Sequence, residues 1–490
     1  MKKLKYCLIL GSLIIFAIIF PSRYLGSTSG VSTTGGDYSV HLNINAHIDN
    51  LDLFPSLSDK TESLHSVSKY LPIYHGLLGF HITAKFLEFM GIPLPGAYGL
   101  IMDLSLLTIL LIFLFIAIDN INRKDILIPF ALSILTVLLF IKYFLTAVDA
   151  AYYSQLFSHA LISLAVYLFT LQKRRSALVL ISFAIFCYPD FLLWFIPVAL
   201  FSKRCRSFRP ILFGILLILA VVPFKRANLS GPTLTSASVY FTTLAFIIFF
   251  ISGIWNWNRN AAILAGAFAV YSLSLYLGTM KFSNPSYYAV KLTGFSYLLL
   301  PYLLLTVPIR LTFLRKLVLA AIAFALVYEV SSSHYDIQPF VSNSGNFQNL
   351  DYLRAKNASI EIQKNLAGKC IDRTTYKIPA QDKNSFLSLA AFNGVLTSFD
   401  IYSLNLKSSW LNNFYNGGIN GSQGMLIQDL LNENLSVWVK KLETEIQRTN
   451  LDPDFCLASP KNQASFFAKS QYFEKLYEGA QFVYFKPQKR

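Results

Sequence analysis

Three groups of residues carry side chains able to do chemistry. The first is Asp37, in the run Gly35-Gly36-Asp37-Tyr38. A carboxylate there can take a proton from a hydroxyl within hydrogen-bond reach, and the two glycines let the backbone approach a bound molecule closely. Asp is equally a good cap for a following turn or helix. The second group is Lys281 and Lys291, which bracket Tyr287 and Tyr288. Two ammonium groups and two phenols can hold a phosphate, or they can snorkel to headgroups within an interfacial aromatic belt. Lys225 and Arg226 form a second cationic pair open to the same two readings, with snorkelling favoured.

The third group lies downstream of Asp37: His41, Asp49, Asp52, Tyr74 and His75, followed by His81. Asp49 and Asp52 are reserve proton acceptors. His41, Asp49, Asp52, Tyr74 and His75 are candidate contacts for a substrate held by this stretch. The histidines do not stand at a metal-ligand spacing such as His-x-x-x-His, so no metal is expected. The chain has no GxGxxG, no Walker sequence and no paired CxxC, and no cofactor is expected.

The elements that must position these residues are membrane helices. Apolar residues make up 54% of the 490 positions. About ten long apolar runs fill the first two-thirds of the chain, and about 20 residues of helix cross the roughly 30 Å of hydrocarbon in a bilayer. The clearest runs are 98–118, 126–148, 261–279 and 292–309. The net charge of +16 sits mostly in short loops between these runs, where it sets topology rather than binding a polyanion. No nucleic-acid partner is expected.

The positive-inside rule puts Lys2, Lys3 and Lys5, Arg123-Lys124, Lys173–Arg175, 203–209, Arg259 and 310–316 in the cytoplasm. The segment 177–201 lies between two basic loops, so both its ends belong on one side. Pro189 removes a backbone donor and Asp190 is a charge in hydrocarbon, so this segment reads as two short helices with 188–190 at the tip. With that break the chain crosses about eleven times, its N-terminus inside. The first helix, 6–20, is read as uncleaved. It leads into an exterior loop, 22–97, whose last part, 77–90, carries His81, Lys85 and Glu88 and reads as an interfacial amphipathic helix. Residues 332–490 form an exterior soluble domain of α/β type, with a helix within 425–448 and a strand at 481–485. Cys370 and Cys456 fall in that domain and are a possible disulfide, since an exterior compartment allows one.

This architecture, with an acidic residue close behind the first helix, resembles the GT-C glycosyltransferases. The motifs that carry the resemblance are Gly35-Gly36-Asp37-Tyr38, Tyr70-Leu71-Pro72 with His75, and Tyr287-Tyr288 with Lys291. These integral membrane enzymes move a sugar from a polyprenyl-phosphate donor to an acceptor outside the cytoplasm. Size and layout are similar to those of bacterial enzymes that decorate O-antigen or other surface polysaccharides. The resemblance implies an inverting hexosyltransferase, with glucose among the possible sugars, in a bacterial inner membrane with a periplasmic tail. It implies Asp37 as the base, Lys281, Tyr287, Tyr288 and Lys291 as the donor-phosphate clamp, and a lipid-linked or surface glycan as acceptor. The paired Asp-Glu of some members is absent, which leaves the base open among Asp37, Asp49 and Asp52. The competing readings are an O-antigen polymerase or ligase and a transporter or flippase of lipid-linked sugars. The latter predicts mid-membrane charges and internal duplication.

Overall fold

The structure is a computed structural model that describes residues 2–26, 30–31, 41, 45, 78–122, 126–201, 263–268, 271, 285–306, 320, 323, 347–349, 352–353, 372–375, 395–396, 435–448, 455–461, 464–479 and 482–488. The chain divides into two compact units. One takes in Met1–Pro21, Pro72–Phe80 and Leu100–Phe340, the other Ser22–Leu71, His81–Gly99 and Val341–Arg490. Most of the loop expected at 22–97 therefore shares a unit with the tail.

The helical elements begin with α1 (Lys2–Phe20), which runs into a π turn at Pro21–Leu25. After a short strand, β1 (Gly30–Val31), come α2 (Gly79–Phe89), α3 (Leu94–Asn120), α4 (Leu127–Asp149) and α5 (Tyr153–Thr170). Then follow α6 (Arg174–Cys187), α7 (Phe191–Phe201) and α8 (Pro285–Thr306). Among the described residues three helices are long and apolar enough to cross a membrane: Lys3–Leu25, α3 and α4. They cover the first helix and the runs expected at 98–118 and 126–148. Of the run at 261–279 only 263–268 and 271 are described.

The break expected at 188–190 is present. Tyr188 is extended (φ −150°, ψ 97°), and the helix restarts with Leu192 N–H bonded to Pro189 O at 2.9 Å. Two connections are tighter than the sequence indicates. Ala151 and Gln172, at φ 62° and 63°, occupy the left-handed region that favours glycine. Each lets the next amide reach back five residues, Tyr152 N–H to Ala147 O at 2.8 Å and Lys173 N–H to Leu168 O at 3.0 Å. These bonds satisfy carbonyls that would otherwise be orphaned at the ends of α4 and α5.

Lys5 fixes the N-terminal end of α1 to the C-terminal ends of α3 and α5. Its Nζ lies 2.5 Å from Asp119 Oδ1 and donates to Tyr167 Oη at 2.8 Å. The ammonium also stands over the rings of Phe115 (5.4 Å) and Tyr167 (5.3 Å). The ends of three helices that the charge rule assigns to the cytoplasm thus meet. Elsewhere α8 reaches α4 through Gly294, where an added Cβ would lie 2.1 Å from Tyr143 Cζ. Small residues at helix crossings allow this close approach in membranes.

The tail supplies β2 (Phe347–Gln348), β3 (Asp372–Thr375), β4 (Val395–Leu396), α9 (Leu435–Arg448), β5 (Phe455–Pro460), α10 (Ala464–Ala468), β6 (Phe473–Glu478) and β7 (Phe482–Pro487). The sheet order is β4-β3-β5-β7-β6, parallel from β4 to β5 and antiparallel beyond. Phe467 of α10 packs its ring on Phe473 (5.2 Å) and Phe485 (5.4 Å), closing one face of the β6–β7 hairpin. The expected α/β tail is therefore found, with the strand read at 481–485 seen as β7 and the helix read within 425–448 seen at α9. Cys456 lies in β5 opposite Arg373 of β3, while Cys370 lies outside the described residues.

Candidate functional site

Among the described residues of the second unit, two polar groupings join segments that are distant in sequence. In the first, His41 and Asn45 stand one helical turn apart, and His81 lies in the first turn of α2. His41 Nδ1 and His81 Nε2 are 2.8 Å apart, with the two residues only 1% and 0% exposed. One ring must donate and the other accept, so the pair shares a proton along this line. Asn45 Nδ2 bonds His41 O at 3.2 Å and also donates to Tyr98 Oη, from the first turns of α3. The ring of Tyr98 meets that of His41 edge-on at 6.3 Å. Asn45 Oδ1 accepts no hydrogen bond among the described residues.

The second place is built on Asn349, just past β2. Its Oδ1 accepts Gly96 N–H at 2.9 Å, and its Nδ2 donates to Tyr24 O at 2.8 Å and Gly26 O at 3.0 Å. Gly96 is required here, because a Cβ would lie 2.2 Å from Tyr24 O. Beside this junction β1 and β2 pair antiparallel, Gly30 opposite Gln348 and Val31 opposite Phe347. Tyr352 Oη donates to Glu88 Oε1 at 2.5 Å, and Lys85 pairs with the other carboxylate oxygen of Glu88. The segment after α1, the start of α3, α2 and the tail are thus bonded together by side chains. On α2 the opposite face presents Ile82, Phe86 and Phe89 to the surroundings, as an interfacial helix would.

Of the residues that the sequence singles out, Asp37, Asp49, Asp52, Tyr74, His75 and Lys281 lie outside the described residues. So do Lys225 and Arg226. His41 is described and is buried against His81. Tyr287, Tyr288 and Lys291 were expected in an exterior loop; they lie instead in the first turns of α8, which begins at Pro285. Proline is favoured at a first helical position, since its fixed φ suits the helix and its missing N–H would have no partner there. Helical spacing sets Lys291 four residues after Tyr287 and three after Tyr288, which brings the three positions to one side of the helix. Asn45, Tyr98 and Asn349 were not singled out. Asn45 at four residues from His41 is the one signal that could have found any of them. Among the described residues no three His, Cys, Asp or Glu side chains lie close enough to hold a metal.

The chain matches no protein-family model, no curated protein and no solved structure.

Proposed function

We propose that the chain is a GT-C-type glycosyltransferase that transfers a hexose from a polyprenyl phosphate to a surface glycan, on the periplasmic side of a bacterial inner membrane. The acceptor oxygen attacks the anomeric carbon and gives its proton to Asp37. The bond from that carbon to the phosphate oxygen breaks, and its electron pair leaves with the polyprenyl phosphate. Lys281, Lys291, Tyr287 and Tyr288 offset the charge growing on that phosphate. Asp49, Asp52, Tyr74 and His75 supply the acceptor side, and His41, buried against His81, braces that stretch.

The observation that carries this reading is the Asn349 junction. It bonds the segment after the first helix, the start of α3 and the tail into one body. An enzyme of this type needs its first loop and tail in one compartment with the lipid-linked sugar, and these bonds support that need. Lys5, at the other end of α1, carries the positive charge that belongs inside.

The test is to incubate purified protein in liposomes with a panel of polyprenyl-phosphate hexoses and follow discharge of the lipid. The expected result is discharge of one donor, dependent on an added glycan. No discharge of any donor, or a reporter fused after Arg490 that is active only in the cytosol, overturns the proposal.

A further inference from the structure

Helix α2 has two unlike faces, and from His81 onward it belongs to the second unit. One face is held by protein. His81 and Ala84 are fully buried, Glu88 Oε1 accepts the Tyr352 hydroxyl of the tail at 2.5 Å, and Lys85 closes on the other carboxylate oxygen. The other face is bare. Ile82, Phe86 and Phe89, spaced four and three residues apart along one side of the helix, are 40%, 60% and 90% exposed. Met90, in the turn just beyond, is exposed as well. A contiguous apolar patch of this kind marks an interaction surface.

The chain that follows α2 identifies what meets the patch. Gly91, at φ 94°, makes the left-handed turn that ends the helix, with its N–H on Glu88 O at 2.9 Å and Ile92 N–H on Leu87 O at 3.1 Å. Ala97 N–H then returns to Pro93 O at 2.8 Å at the start of α3, where Asn349 also holds Gly96. The link between Phe89 and Leu94 is therefore short and hydrogen-bonded at both ends, and it spans at most about 14 Å. Helix α3 has 27 residues. That makes it about 40 Å long, against roughly 30 Å of hydrocarbon, so its first turn reaches a membrane surface. The turn at Gly91 thus keeps α2 at the lipid boundary.

Charge settles the kind of contact. Ile82, Phe86 and Phe89 carry none, and Lys85 and Glu88 neutralise each other on the protein side. Burial of apolar surface, rather than attraction to anionic headgroups, is what draws such a face to lipid.

We propose that α2 is a shallow membrane anchor for the second unit. Ile82, Phe86 and Phe89 enter the bilayer at the junction of headgroups and acyl chains, and the inner face of the same helix seats the tail on the membrane through Glu88 and Tyr352. The proposal does not rest on the sugar-transfer reading, since the contact needs no substrate.

The experiment places the full chain in phosphatidylcholine vesicles and reads tryptophan quenching. Phe86→Trp and Phe89→Trp keep a large aromatic side chain, and the fluorescence that each adds to the wild-type signal is followed. Phe466→Trp, at an exposed position of α10 in the tail, is the water-facing comparison. Lipid brominated near the headgroup end of its chains is expected to lower the added signal at 86 and 89 about twofold, and lipid brominated near the chain ends to lower it less, because such a helix lies only about 5–10 Å deep. Iodide on both sides of the membrane is expected to quench the signal at 466 and to spare the other two. Adding phosphatidylglycerol is expected to leave the lipid quenching unchanged. Signals at 86 and 89 that are open to iodide and untouched by brominated lipid put α2 in water and overturn the proposal. Shielding from both quenchers puts protein over the patch and overturns it too, as does lipid quenching that needs the anionic lipid or is equally strong at 466. Should one Trp variant fail to insert, the other carries the same test.

Discussion

Lys5 Nζ and Asp119 Oδ1 lie 2.5 Å apart although 114 positions separate them in sequence, so the N-terminal end of α1 is held against the C-terminal end of α3. The carboxylate is more than a third exposed, so the ion pair alone contributes under about 1 kcal/mol. Lys5 also faces two aromatic rings and the Tyr167 hydroxyl. Lys5→Met is therefore expected to cost about 1–2 kcal/mol and Asp119→Asn less than about 1 kcal/mol. Thermal unfolding of the detergent-solubilised variants measures the order; a larger loss for Asp119→Asn contradicts it.

Asn349→Ala removes an acceptor and two donors from a buried junction and leaves one amide and two carbonyls unmatched. A loss of about 2–4 kcal/mol is expected. Gly96→Ala is expected to cost at least about 3 kcal/mol, because its Cβ meets a backbone oxygen that cannot rotate away. Limited proteolysis of the tail reads both, and wild-type resistance in Asn349→Ala would show that the junction does not hold the tail.

The His41–His81 bond predicts coupling. In a double-mutant cycle of His41→Ala and His81→Ala, the interaction energy is expected near 1 kcal/mol. Additive losses would mean that the rings merely occupy space.

At Ala151 and Gln172 the left-handed backbone favours glycine. Ala151→Gly and Gln172→Gly are each expected to stabilise the helical unit by about 1 kcal/mol, seen as a raised midpoint of thermal unfolding. A lowered midpoint in both would be inconsistent with these φ values.

Asp37→Asn is expected to abolish lipid discharge with normal membrane insertion, a loss of at least about a hundredfold. Lys291→Met is expected to raise the donor concentration needed by about tenfold and leave acceptor use unchanged. Full activity in the first, or equal donor use in the second, removes that residue from its role.

Much of the helical layout was legible in the sequence because its causes are local. Pro189 and Asp190 cannot continue a membrane helix, and the break stands where they are. The runs that became α3 and α4 are strongly apolar, each with one charged residue inside it, Asp103 and Lys142. The start of α8 was misplaced because Lys291 and the two tyrosines look like loop residues, while the helix-starting role of Pro285 outweighs them. The polar residues of α5 dilute its apolar signal, so its burial is visible only once its neighbours surround it. The His41–His81 and Asn349 contacts join positions that are distant in sequence, and no local pattern encodes them.

Strand β5 sits at the middle of its sheet, with β3 beside it in parallel and β7 beside it antiparallel. The early strands of the tail are thus made long before the partner that joins them. During synthesis β3 and β4 must wait, with a bare edge, until β5 to β7 have been made. Chains cut short after α9 would keep that edge open, and such products should be prone to clumping or rapid degradation.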